Sequence, residues 1–250
     1  MATDPTAAMA ASPAERDDLR LDLGRRARIG MVEAIWGEHK SQEQIIAALK
    51  GLRQGGETTL VTRLAPERLP PLLEALPAHG LDPALYRHHR DARCLASHPL
   101  PAPDPAQEPL LILAGGSSDL TVASEAQLAL ACHGVAAELL LDVGVAGLHR
   151  LLDRLETLRR APLLIACAGM EGALPTVLAG LLPQPVIGVP VSVGYGVSAG
   201  GQAALQGMLA SCAPGLCVVN IDNGYGAAMA ALRILRGGRP SAAQPSGGPA

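Results

Sequence analysis

From residue 110 onward, apolar runs alternate with segments of helical periodicity. "LLILAGG" precedes "TVASEAQLALACHG", "AELLLDVG" precedes "LHRLLDRLETLRR", and "PLLIACAG" precedes "ALPTVLAGLL". "PVIGVPV" then leads through a glycine loop to "GQAALQGMLA", and "LCVVNIDN" leads to "GAAMAALRILR". A strand covered on both faces needs apolar residues throughout, whereas a half-exposed strand alternates. Near-continuous runs, each backed by a helix, therefore predict an α/β fold with a doubly wound, flavodoxin-like parallel sheet over residues 110–236. Upstream, residues 19–64 carry mainly helical spacing. In "SQEQIIAALKGLR", Ser41 and Gln44 stand at capping-box distance, and Ile45, Ala48, Leu49 and Leu52 share one face. "TTLVTRL" reads as a short strand, so residues 19–97 are expected to form a small α+β domain. The proline-rich stretch 98–109 reads as a linker between the two, and segments 1–18 and 237–250 have the composition of disordered tails.

Composition narrows the core. Hydrophobic residues make up 48%, aromatics 2%, and there is no Phe, so Leu, Val, Ile and Ala must fill it. A net charge of −3 argues against a nucleic-acid partner, which would require a clustered basic face. The 5 cysteines are an odd number without a CxxC pair, which fits neither a disulfide framework nor a structural zinc site. Reduced thiols and a cytoplasmic location are expected. No charged residue lies between Glu171 and Asp222, yet Pro175, Pro183, Pro185 and Pro190 interrupt the stretch too often for a spanning helix. A surface buried between copies in a homo-oligomer explains it better than a membrane does.

In doubly wound sheets, ligands bind beyond the carboxyl ends of the strands. Those ends carry "GGSSD", "DVGVAGLHR", "AGMEGALP", "PVSVGYGVSAGG" and "NIDNGYG". Gly116, Ser117, Ser118 and Asp119 open a helix, where backbone N–H groups and hydroxyls suit either a phosphate or simple N-capping. Asp142 at a strand tip suits a ribose hydroxyl, a cation or a turn. His149 and Arg150 start a helix and suit an anion, although such a histidine as often satisfies a backbone group. Gly169 and Met170 lead to Glu171, the sole carboxylate of a Gly/Ala loop, where partial desolvation would favour proton transfer. Tyr195 lies in the fourth loop. Asn220, Asp222 and Asn223 offer oxygen ligands for a hard cation such as Mg²⁺, or an Asx turn.

"MLASCAPGL" places Cys212 in a turn among small residues, unlike Cys167 in "LLIACAG" or Cys217 in "LCVVNI", which read as core. An uncovered thiol there is either a nucleophile or a packing residue.

The segments "GGSSDL", "GVAGLHRL", "AGMEGALPTVLAGLL", "PVIGVPVSVGYG", "MLASCAPG" and "VVNIDNGYGAA" together resemble the LarB family. These enzymes are pyridinium-3,5-biscarboxylic acid mononucleotide synthases of nickel-pincer nucleotide biosynthesis. The resemblance covers residues 110–232 and extends more loosely to "LDLGRRARIGMVEAIWGEHKSQEQI". "GGSSD" is shared with the related PurE carboxylase/mutase family, whereas "MEGALP", "SCAPG" and "NIDNGYG" are not typical of it. The resemblance implies a PurE-like catalytic domain that carboxylates nicotinic acid adenine dinucleotide at C5 with CO₂ or bicarbonate as co-substrate. It also implies hydrolysis of the phosphoanhydride to release AMP. Cys212 would be the covalent catalyst, Glu171 would handle a proton, and Asp222 and Asp142 would help hold Mg²⁺; no biotin motif is recognisable. An octamer is expected by the same resemblance. Two alternatives are a PurE-like mutase acting through His149 and a non-catalytic dinucleotide-binding protein.

Overall fold

The computed structural model describes residues 19–237. The tails assigned to 1–18 and, but for Gly237 at the end of the last helix, 237–250 lie outside the described residues.

The N-terminal part contains α1 (Arg25–Ile29), β1 (Ala34–Trp36), α2 (Gln42–Gln54), β2 (Leu60–Thr62), α3 (Leu69–Ala75), β3 (Tyr86–His89) and β4 (Cys94–Ser97). The capping box forms as expected: the Ser41 hydroxyl accepts from the Gln44 N–H at 3.2 Å, and the Gln44 side chain accepts from the Ser41 N–H at 2.9 Å. Sheet order is β1-β2-β4-β3, with β1 and β2 parallel and the other pairs antiparallel. Strands β1, β3 and β4 depart from the helical expectation for 19–64 and from its silence on 86–97. Each is only three or four residues long, too short to establish a period of two against helical neighbours.

After the irregular stretch 101–109 the doubly wound unit begins. It comprises β5 (Leu110–Ala114), α4 (Leu120–Ala131), β6 (Ala137–Leu140), α5 (Leu148–Leu152), α6 (Leu155–Arg160), β7 (Leu164–Ala168), α7 (Ala173–Leu181), β8 (Val186–Pro190), α8 (Gln202–Leu209), β9 (Leu216–Val218) and α9 (Gly224–Gly237). All its strand pairs are parallel, in the order β6-β5-β7-β8-β9. This is the flavodoxin-like order, whose switch point lies between β5 and β7. The segment expected as one helix over 148–160 is divided by a turn at Asp153–Arg154.

Side-chain alternation assigns the layers. Leu110, Ile112 and Ala114 face α4 and α9, while Leu111 and Leu113 face α5, α6 and α7. In the N-terminal sheet, Val61 and Leu95 face α2 and α3, whereas Leu60, Cys94 and Ala96 pack on α4 and α9. Helices α4 and α9 therefore lie between two sheets. This explains why α4 is buried nearly all round and built from alanines, and why its contact with α9 is close. A Cβ on Gly224 would stand 2.3 Å from the Val122 carbonyl oxygen.

The central strands are fully buried, but the edges β6 and β9 are partly exposed. This corrects the expectation for Cys217. It is exposed because β9 is an edge strand and lacks the outer neighbour that covers Cys167.

Candidate active site

The loops after β5, β6, β7 and β8 enclose a cavity of ≈ 410 Å³ beside the switch point. Its walls are largely backbone. A Cβ on Gly144 would lie 2.5 Å from the Gly115 carbonyl oxygen, and one on Gly169 would lie 2.2 Å from that of Val193. Only glycine lets these loops approach so closely, so side-chain chemistry is left to a few positions.

After β5, Ser118 and Asp119 line the cavity together with Gly116, whereas Ser117 is exposed and stands outside the lining. Asp119 is buried, and its Oδ2 accepts from the Gly116 N–H at 2.9 Å. Burial raises its pKa, opposed by the N–H groups of Gly116, Gly169 and Gly115. The carboxyl group thus ties two glycine loops together. After β6, Asp142 has a left-handed backbone (φ 57°) and pairs with Arg150 at 2.5 Å. Arg150 reaches the cavity; Asp142 lies on its outer side, and His149 is exposed outside the lining.

Gly169, Met170 and Glu171 form the wall after β7, and Tyr195, 77% exposed, stands at the rim after β8. Glu171 is exposed, which corrects the expected desolvation: α8 packs on the backbone of its loop, where a Cβ on Gly207 would stand 2.4 Å from the Glu171 carbonyl oxygen, and the side chain is left at the surface. Asp222 belongs elsewhere. Its Oδ1 accepts from the Ser192 N–H at 2.8 Å, and its own N–H donates to Pro190 O at 2.8 Å. Asn220 accepts from the Ile221 N–H and Asn223 from the Gly226 N–H, so both act in local turns.

Asp142 and Asp222 do not form one metal site in a protomer. The first follows the edge strand β6 and the second sits over β8, three strand spacings or roughly 14 Å away. Among the described residues no group of three His, Cys, Asp or Glu side chains is placed to hold an ion. This donor set does not fit an Mg²⁺ held by the protein alone.

Cys212 also lies outside the cavity lining. Its loop is held against α7 by Thr176, whose hydroxyl donates to Ser211 Oγ at 2.8 Å, and the thiol is exposed. The other thiols divide clearly. Burial pushes Cys132 up to about 12 and Cys94 and Cys167 higher still, leaving them protonated and inert.

Sequence reasoning missed Glu125 and Arg63. Glu125 is buried in α4, and its Oε2 accepts from the Tyr225 N–H at the start of α9, at 3.0 Å. A lone carboxylate in "ASEAQLALAC" was the available signal. Arg63 donates to the Asp222 carbonyl oxygen at 2.7 Å, linking the N-terminal sheet to the strand ends.

Two family profiles match this chain: AIR carboxylase over residues 109–245, and the LarB/PurE-like N-terminal domain over residues 15–99. An uncharacterized protein of Methanocaldococcus jannaschii is 37% identical over 220 residues, covering 87% of this chain and 84% of its own. The N5-carboxyaminoimidazole ribonucleotide mutase of the same organism is 37% identical over 133 residues, covering 50% of this chain and 78% of its own. The fold and the strand-end cavity thus define a protein of the carboxylase-type class. The chain belongs to the LarB family, whose C-terminal domain is related to PurE.

Proposed function

We propose that this protein carboxylates the pyridinium ring of nicotinic acid adenine dinucleotide at C5 and hydrolyses its phosphoanhydride. The observation that carries this reading is a carboxylase-type cavity lined by Glu171 and Arg150 without a histidine. A PurE-like mutase acting through His149 is the second reading; in one protomer His149, like Cys212, lies outside the cavity lining, and the products formed separate the two.

The chemistry follows from polarity. A pyridinium ring is electrophilic and does not attack CO₂. Addition of the Cys212 thiolate at C4 or C6 makes C5 the nucleophilic carbon of an enamine. C5 then bonds to CO₂, loses its proton, and the C–S bond breaks to restore the aromatic ring. Glu171 is the group assigned to that proton, or to the water that cleaves the phosphoanhydride.

One protomer does not bring Cys212 into the cavity, so the proposal includes a second copy. Val193, Tyr195 and Val197 are exposed at or beside the rim, and Leu209 is exposed near the Cys212 loop. Packing one patch on the other in a closed homo-oligomer, an octamer by family resemblance, buries both and carries the thiol to a neighbour's cavity. Incubation with the dinucleotide and bicarbonate should release AMP. Turnover of carboxyaminoimidazole ribonucleotide without AMP release would favour the mutase reading instead.

A further inference from the structure

Strands β1 and β2 are parallel and joined through α2, a small βαβ unit whose carboxyl ends carry Trp36 and Arg63. Those ends face the loops after β8 and β9 across a second cavity of ≈ 340 Å³. Carboxyl ends of parallel strands are where such folds place ligands, and here two sheets direct theirs at one space.

The rim is built to hold arginines. Arg63 (φ 52°) and Arg93 (φ 51°) both adopt the left-handed backbone, and the Leu64 N–H donates to the Arg93 carbonyl oxygen at 2.8 Å. The two bends therefore hold each other on one side of the cavity. Arg68, which also lines it, is engaged with the carbonyl oxygens of Gly37 and Lys40, fixing the β1 loop. The Arg93 guanidinium makes no hydrogen bond or ion pair among the described residues. Of the carboxylates that line the cavity, Glu125 is bound to the Tyr225 N–H and Asp222 to the Ser192 N–H, while Glu38 pairs with Arg63 at 3.9 Å, a contact that an entering anion would replace. An anion with several acceptor oxygens is the ligand that an unengaged guanidinium beside Arg63 would select.

Trp36 supplies a second element. It is 52% exposed, and its indole N–H donates at 3.2 Å to Glu38, a residue of the cavity wall. The ring stands outside the cavity lining, in T-shaped contact with His39 at 4.7 Å between centroids, and reaches the wall through Glu38, which also pairs with Arg63; an exposed flat ring at that edge suits a nucleobase.

We propose that this cleft is a nucleoside monophosphate subsite, with phosphate on Arg93 and Arg63 and the base on Trp36. Ser192 lines this cavity and Val193 the carboxylase-type cavity, so the two adjoin through the β8 loop. Resting on the proposed function for its occupant, the cleft takes the adenylate half of the dinucleotide.

Trp36 is the chain's one tryptophan, so its emission reports on this cleft directly. Titrating AMP into the full chain should quench it saturably, at least ~10-fold more tightly than adenosine or inorganic phosphate alone. Arg93→Gln should weaken AMP by ~10-fold or more with an unchanged thermal melt. Calorimetry on protein saturated with the dinucleotide should show no AMP heat. Absent quenching, equal AMP affinity in Arg93→Gln, or simultaneous binding of AMP and dinucleotide would each overturn the proposal. Because all of these are binding measurements, a protein that binds AMP here yet fails to carboxylate would refute the function and leave the subsite standing.

Discussion

Exposure separates the cysteines by role. Cys94, Cys132 and Cys167 are buried and protonated, whereas Cys212 and Cys217 are exposed. Cys212→Ser is expected to abolish ring carboxylation, because an alcohol is far less ionised than a thiol at neutral pH; assay of AMP and carboxylated product checks it. Cys217→Ser, at an exposed edge position, should change stability by no more than about 0.5 kcal/mol in a denaturant melt and leave turnover intact. Glu171→Gln should retain dinucleotide binding while lowering turnover by about 100-fold, the scale of lost acid–base assistance. Near-normal turnover would reduce Glu171 to a wall residue.

At the scale of elements, the five strands of the large sheet and their helices were legible because burial on both faces imposes apolar runs. The N-terminal strands were not, since three or four residues carry too little pattern. The candidate site was legible as a row of loops but not as a space. Gly116, Ser118, Asp119, Arg150, Gly169, Met170, Glu171 and Tyr195 converge, while Ser117, Asp142, His149, Asn220, Asp222 and Cys212 do not. Which side of a loop a residue faces depends on packing between loops, and no local pattern encodes that.

The join between the two units carries its own pH sensitivity. His133, at the end of α4, donates through Nδ1 to Ala129 O at 2.7 Å and accepts at Nε2 from the Val32 N–H at 3.0 Å. That arrangement requires the neutral ring. Burial lowers its pKa, opposed by the Ala129 bond and reinforced by Arg236 and Arg26. With the folded value below the unfolded ~6.5, its contribution is fully present above that pH. It is lost as pH falls from there through the folded pKa, because the unfolded chain takes up the proton first. Urea midpoints should therefore fall between about pH 7.5 and 5.5, and fall less in His133→Gln. Equal slopes would mean that His133 does not hold the join.

For the whole molecule, no helix among the described residues is long and apolar enough to cross a membrane. Apolar side chains are exposed at the cavity rim, and the proposed function has a second copy cover them. If one copy's Cys212 serves another's cavity, mixed oligomers of Cys212→Ser and Glu171→Gln should regain turnover that neither variant shows alone. Inactive mixtures, with subunit exchange confirmed by mass spectrometry, would place both residues of each site in one protomer. The carboxylation itself is tested most directly with ¹³C-bicarbonate and nicotinic acid adenine dinucleotide, following the products by carbon NMR and chromatography. The account predicts a labelled carboxylate on the pyridinium ring, formed one for one with AMP. AMP without ring label, or label entering an aminoimidazole ribonucleotide instead, would contradict it.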